Sequence, residues 1–195
     1  MKIILGITGS VATVLVSKLV KELVFDDHEV RIVATAMALK FMPKEFCGQE
    51  LFYSKDYPNL SIKVYQDNYE WTEGGYHKND PVRHIEFRDW ADLMLIAPLT
   101  ANTLAKIAYG MADNFLTCIA RAWLKERPFL IAPAMNTEMW EDPITDMQIS
   151  SLGYRFMELA VINPIEKKLA CGCTGVGAMD DIKTIVETVA RYEKK

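Results

Sequence analysis

Pro128-Phe129-Leu130-Ile131-Ala132-Pro133-Ala134-Met135-Asn136-Thr137-Glu138-Met139-Trp140 contains the change of character that decides how this chain folds. Residues 129–132 form a short apolar run, the length of a buried strand. Pro133 has no N–H to donate to a strand ladder, so the strand should end there. The residues that follow, Asn136 among the apolar Met135, Met139 and Trp140, then stand at a strand's carboxyl end. Open α/β sheets bind their ligands at that edge.

Other segments converge on the same edge. Residues 93–97 read as a buried strand that stops in Ala97-Pro98-Leu99, as the first stops in Ala132-Pro133-Ala134. Thr100, Asn102 and Thr103 follow, natural caps for a helical pattern over 104–124. At the N-terminal side, residues 2–8 predict a strand, Gly9-Ser10 a turn, and residues 11–25 a helix. Val11, Val14, Leu15, Leu19 and Leu23 fall mainly on one face of that helix. Ser10 is its expected N-cap. Asp26-Asp27 marks a turn and residues 29–35 a second strand, so the unit is strand–helix–strand with parallel strands and a right-handed crossover.

A strand, a Gly-Ser turn and a helix start together have the geometry of a phosphate site, because a helix start offers unpaired N–H groups and a positive dipole end. They are equally the features of an ordinary turn. Gly6 and Gly9 do not complete a GxGxxG pattern, and no Gly-Lys pair follows. Taken with the 100–103 turn, however, two strand ends deliver small polar residues to helix starts, like two walls of a crevice between halves of a sheet.

The rest of the chain keeps the α/β rhythm. Residues 35–46 predict a short helix and 60–65 a strand. Residues 66–80 are polar and aromatic and read as a mobile surface loop. His84, just after Pro81, should lie near the start of a short helix or turn. Pro143 divides two helices, 137–140 and 142–152, and 154–159 predict a last strand. Residues 167–179 hold three glycines in six positions and read as a flexible loop, part of an expected C-terminal clamp loop at about 165–180. Residues 181–194 close with an amphipathic helix carrying Ile182, Ile185, Val186 and Val189. The 195 residues fit a single α/β domain, 1–195.

The net charge of −4, with acids and bases interspersed, gives no basic field for nucleic acid. The chain starts without the pattern of a secretory leader, and its longest apolar run is far below the ~18 residues of a membrane span. A cytoplasmic protein is expected, with Cys47, Cys118, Cys171 and Cys173 as thiols. Cys171-Gly172-Cys173 is too closely spaced for a CxxC redox or zinc motif, and no metal site is expected. The ten methionines are read mainly as core filling.

Five motifs occur in order: Gly-Ser-Val-Ala at 9–12, His-Ile-Glu at 84–86, Ala-Pro-Leu-Thr-Ala-Asn-Thr at 97–103, Pro-Ala-Met-Asn-Thr-Glu-Met-Trp at 133–140 and Leu-Ala-Cys-Gly at 169–172. The set resembles the flavin-containing cysteine decarboxylase family from residue 3 to about residue 189. It is most specific from His84 onward and weakest between 47 and 80. The resemblance implies a Rossmann-like, flavodoxin-type parallel sheet with helices on both faces. It also implies a homotrimer with FMN held between subunits. The implied reaction is decarboxylation of 4′-phosphopantothenoylcysteine to 4′-phosphopantetheine in coenzyme A synthesis. It runs through oxidation to a thioaldehyde, loss of carbon dioxide and reduction of an enethiol.

By the same resemblance His84 is the catalytic base, and Cys171 is the proton donor of the last step. Asn136 holds the substrate carboxylate, with Lys168 and Met139 also at the substrate. Gly9, Ser10, Val11, Ala12, Thr35, Met37, Thr100, Ala101, Asn102, Thr103 and Ala134 match FMN positions. A near-neutral imidazole suits a base, and a thiol of ordinary pKa ~8.5 keeps its proton at neutral pH. Met139 also has a plain core-packing reading. The chain departs from the family at Cys173, where an acidic residue is expected. Rival readings are a decarboxylase of peptidyl C-terminal cysteine, a flavin prenyltransferase, and a regulatory, phosphatase-inhibitor-like subunit. His84, Asn136 and Cys171 together, without an acidic tail, favour the enzyme.

Overall fold

The apolar runs become strands stacked edge to edge. The computed structural model describes residues 1–42, 51–54, 57–71, 77–78, 80–169 and 172–193. In chain order, β1 (Lys2–Ile7) leads through a 3₁₀ segment (Val11–Leu15) into α1 (Val16–Phe25) and β2 (Glu29–Ala34). Next come α2 (Ala36–Leu39), β3 (Leu51–Ser54), β4 (Tyr57–Tyr65), α3 (Asp67–Glu70) and α4 (Arg83–Trp90). β5 (Leu93–Leu99), α5 (Ala101–Ala108), α6 (Phe115–Ala122) and β6 (Phe129–Pro133) build the second half. α7 (Thr137–Trp140), α8 (Pro143–Arg155), β7 (Leu159–Val161), a hairpin of β8 (Ile165–Lys168) and β9 (Thr174–Ala178), and α9 (Ile182–Ala190) complete it.

The main sheet runs β3-β4-β2-β1-β5-β6-β7. β3 is antiparallel to β4, and every other neighbouring pair is parallel. Along the six parallel strands the chain winds outward from β1 to β4, then crosses to β5 and winds the other way. This is the doubly wound Rossmann order, and its reversal point lies between β1 and β5. All of β5 is buried, as expected where helices cover both faces of a parallel sheet.

Strand alternation divides the core in two. Ile3, Leu5 and Ile7 pack on one side with Leu19, Leu23, Ile185 and Val189. Ile4 packs on the other with Phe87, Leu116, Phe129 and Phe156. Phe129 and Phe156 stack at 4.0 Å, fixing α8 against β6. Each such fully buried side chain contributes about 1.5–3 kcal/mol of transfer free energy.

Several expected boundaries differ for identifiable reasons. The helix over 11–25 begins as a 3₁₀ segment, which changes the phase of its faces. Leu19 and Leu23 are buried as expected, but Val11, Val14 and Leu15 are exposed. The helix over 104–124 is two helices. Gly110, at φ 73°, closes α5, and Asn114 starts α6 with a capping box shared with Thr117. The short helix at 35–46 covers only Ala36–Leu39, and 43–46 lie outside the described residues. The strand placed at 154–159 is β7, five positions later, because α8 continues to Arg155. Residues 66–71 are not loose chain but carry the α3 turn, while 72–76 and 79 lie outside the described residues. Residues 167–179 are largely the β8–β9 hairpin, and β3 was not expected at all.

Candidate functional site

Thr8, at the end of β1, joins the two halves of the sheet at the reversal point. It is fully buried. Its hydroxyl donates to the Pro98 carbonyl at 2.7 Å and accepts the Thr100 N–H at 2.9 Å. Its own carbonyl accepts from the Thr13 hydroxyl at 3.2 Å. One threonine thus sets the spacing between the turn after β1 and the turn after β5. Sequence reading placed Thr8 at a strand end and gave it no role; its partners lie 90 and 92 positions away.

Between these turns opens a cavity of 860 Å³. Every residue expected at the cofactor lines it, from Gly9, Ser10, Val11 and Ala12 through Thr35, Met37 and the 100–103 turn to Ala134. Local capping sets the polar groups. Ser10 accepts from Ala12 N at 3.2 Å, and Thr35 accepts from Ala38 N at 3.3 Å. Gly9 is required by space, because a Cβ there would lie 2.7 Å from the Met37 Cβ. Val11 and Met37 are about half exposed and line the cavity, adding apolar surface to its polar groups.

The far wall is α7 with the hairpin. Asn136 lines the cavity and caps α7, its Oδ1 accepting from Glu138 N at 2.9 Å. That bond orients the amide, with its NH2 end turned away from the Glu138 N–H. Met139 also lines the cavity and is 48% exposed, which excludes the core-packing reading. Lys168 lines the cavity from the end of β8. Its neighbour Lys167 is held by Asp181 at 2.7 Å, and that hydrogen bond keeps the Asp181 carboxyl below its usual range. The glycines of β9 serve close approach. A Cβ on Gly177 would lie 2.3 Å from the Met135 carbonyl oxygen, and Met135 N donates to Gly177 O at 2.9 Å.

His84 is the second residue of α4, as expected, and is not among the residues lining the cavity. Its ring Nδ1 pairs with Glu70 Oε1, and its backbone N–H donates to Glu70 Oε2 at 2.8 Å. Glu70, fourteen positions away in a stretch read as loop, has no motif that would have revealed this. Cys171 lies outside the described residues, and Cys173 is exposed. Cys118 is no substitute nucleophile, since burial and the nearby Glu70, Asp113 and Asp67 push its thiol up to about 11. Lys106 and Asp113 also line the cavity, and the hydrogen bond from Lys106 lowers the Asp113 pKa.

A doubly wound sheet with capped helix starts around a cavity at its reversal point defines an α/β protein built to hold a nucleotide-like group. The chain belongs to the Flavoprotein family, whose model matches residues 1–193. It is 42% identical over 190 residues to the phosphopantothenoylcysteine decarboxylase of Mus musculus, covering 96% of this chain and 85% of that one. Two solved structures are similar over their whole length. One is a PPC decarboxylase mutant complexed with pantothenoylaminoethenethiol, with a TM-score of 0.86, 40% identity, and coverage of 100% of this chain and 98% of that one. The other is the FMN binding protein AtHal3, with a TM-score of 0.82, 41% identity, and coverage of 100% and 97%.

Proposed function

We propose that the protein is an FMN-dependent decarboxylase of 4′-phosphopantothenoylcysteine, releasing carbon dioxide and 4′-phosphopantetheine. The observation that carries this reading is that the 9–12 turn, the 100–103 turn and Asn136 all line one cavity. Its donors fit FMN. Hydroxyls and helix-start N–H groups at Ser10, Thr35 and Thr100 suit a phosphate without a dedicated lysine, and Val11, Met37 and Met139 suit a flat apolar ring. Bound FMN would supply a two-electron oxidant for the cysteinyl CH2–SH group, giving the thioaldehyde, and would return the two electrons after carbon dioxide has left.

The chain's own groups do the rest. Asn136 donates its amide NH2 to the substrate carboxylate. A neutral donor positions the group without the charge pairing that would stabilise the ground state against losing it. Lys168 attracts the acidic substrate to the mouth. His84 takes a proton from substrate on its ring, and Cys171 returns one to the enethiol carbon skeleton in the last step. The expected outcome for Cys171→Ser is substrate consumption without normal product, read by mass spectrometry; unchanged product formation removes that role.

The active unit in this proposal is a homotrimer in which one subunit's His84 serves a neighbour's cavity. Two observations support it: His84 does not line its own chain's cavity, and the apolar Val11, Met37 and Met139 that do line it are about half exposed. No helix among the described residues is long and apolar enough to cross a membrane. A cytoplasmic location belongs to the same proposal.

The deciding experiment incubates purified protein with 4′-phosphopantothenoylcysteine and follows loss of carbon dioxide by mass spectrometry. The protein should be yellow and its flavin released on denaturation. A colourless preparation that takes up no FMN, or one that leaves the substrate intact, overturns the proposal.

A further inference from the structure

We infer that Glu70 is a positioning residue that fixes the tautomer of His84, leaving the lone pair on Nε2. The inference builds on the proposed role of His84 as base. The geometry itself leaves little choice. A carboxylate only accepts hydrogen bonds, and Glu70 meets two groups of the same residue, the backbone N–H through Oε2 and the ring Nδ1 through Oε1. The ring proton is therefore on Nδ1. The pair is largely buried, with side-chain exposures of 10% for Glu70 and 26% for His84, so water competes poorly for either bond.

Glu70 can do this because the single turn of α3 is held on three sides. Asp67 Oδ1 accepts the Phe115 N–H at 2.9 Å, tying the start of α3 to the start of α6. The Tyr69 ring packs edge-on to Tyr65 at 4.7 Å and lies 5.7 Å from Phe87, which belongs to α4 itself. Glu70 then supplies the start of α4 with the acceptor that its N-cap, Val82, does not provide. Asp67 also lines the cavity, so the turn that sets the imidazole is part of the wall of a cofactor site. The nearest cation on α4, Arg83, is engaged with Glu86 at 3.0 Å. The arrangement has the logic of an orienting carboxylate behind a catalytic histidine. The carboxylate holds the ring and offsets its charge once Nε2 has taken a proton.

Glu70→Gln separates this role from simple packing. The backbone N–H of His84 can only donate, so the glutamine must turn its oxygen to it. The NH2 end then faces Nδ1 and drives the ring proton to Nε2. Shape and helix cap are kept while the tautomer is reversed. The chain has three histidines, so nitrogen-15 histidine labelling of the full protein with long-range proton–nitrogen correlation resolves them, with His84→Asn as the assignment control. The spectra are taken at a pH about two units above the ordinary imidazole value of ~6.5.

Wild-type protein should show Nδ1–H at His84, and Glu70→Gln should show Nε2–H. In the same variant kcat per bound flavin should fall by about 10²–10⁴-fold, with KM and flavin content within about twofold of wild type. An unchanged tautomer in Glu70→Gln, or an unchanged kcat per flavin in an active wild-type background, overturns the inference. A wild-type protein that does not decarboxylate overturns the proposed function instead, and the tautomer measurement still decides whether Glu70 sets the ring.

Discussion

His84→Asn leaves a folded, yellow protein whose release of carbon dioxide drops by about 10²–10⁴-fold, the scale of a lost general base. Flavin binding should survive, because His84 lies on α4 and is not among the cavity-lining residues. The asparagine keeps the backbone N–H that Glu70 accepts, so the start of α4 also survives. A sharper form of the experiment uses two inactive proteins. Co-expressing His84→Asn with Asn136→Asp should restore about a quarter of wild-type turnover, since random assembly of a ring pairs an intact cavity with a neighbour's intact histidine that often. No recovery from mixed oligomers would place His84 in service of its own chain's cavity. Wild-type turnover by His84→Asn alone would remove the base assignment.

Thr8→Val should be the most damaging single change of stability near the site. Valine keeps the volume of threonine and loses the hydroxyl. The buried Pro98 carbonyl and the part-buried Thr100 N–H then lose the partner they share. Unsatisfied groups of this kind cost about 1–3 kcal/mol each, giving about 2–6 kcal/mol in total. For a chain of this length that lowers Tm by about 4–24 °C. FMN affinity should fall as well, because Thr100 no longer holds the 100–103 turn at its spacing from Ser10. Thr13→Val is the control. It removes one 3.2 Å bond to the Thr8 carbonyl and should cost about 1 kcal/mol. Equal Tm values for the two variants would mean that Thr8 does not bear the junction.

How much of this was legible in the sequence follows from which forces are local. The strands of the two halves were legible because a parallel sheet covered on both faces needs unbroken apolar runs, and residues 93–97 and 129–132 are such runs. The Ser10 cap was legible because it acts on an N–H two positions ahead, whereas Thr100, read the same way, stands at the N-cap of α5 without a side-chain cap bond. Val11, Val14 and Leu15 misled because they repeat at helical spacing yet belong to a 3₁₀ segment with its own phase. Gly175 and Gly177 misled in another way. They were read as freedom of the chain, whereas each gives room for α7 to approach β9. Thr8 with Thr100, and Glu70 with His84, could not be read, because no local pattern records a hydrogen bond between distant turns. His84 and Cys171 were proposed by resemblance, and the carboxylate that meets the His84 ring needed coordinates.

The Gly177 contact has a kinetic consequence. Met135, which precedes Asn136, the proposed carboxylate contact, is hydrogen-bonded to β9, and Lys168 lies on the strand paired with β9. The two groups proposed to act on one substrate, Asn136 at its carboxylate and Lys168 at the cavity mouth, are thus mounted on a single lever. Substrate capture and alignment of the breaking bond should then respond together. Substitutions along the hairpin should trace one line in a plot of log kcat against log KM, not scatter along separate axes, and pairs of them should be strongly non-additive.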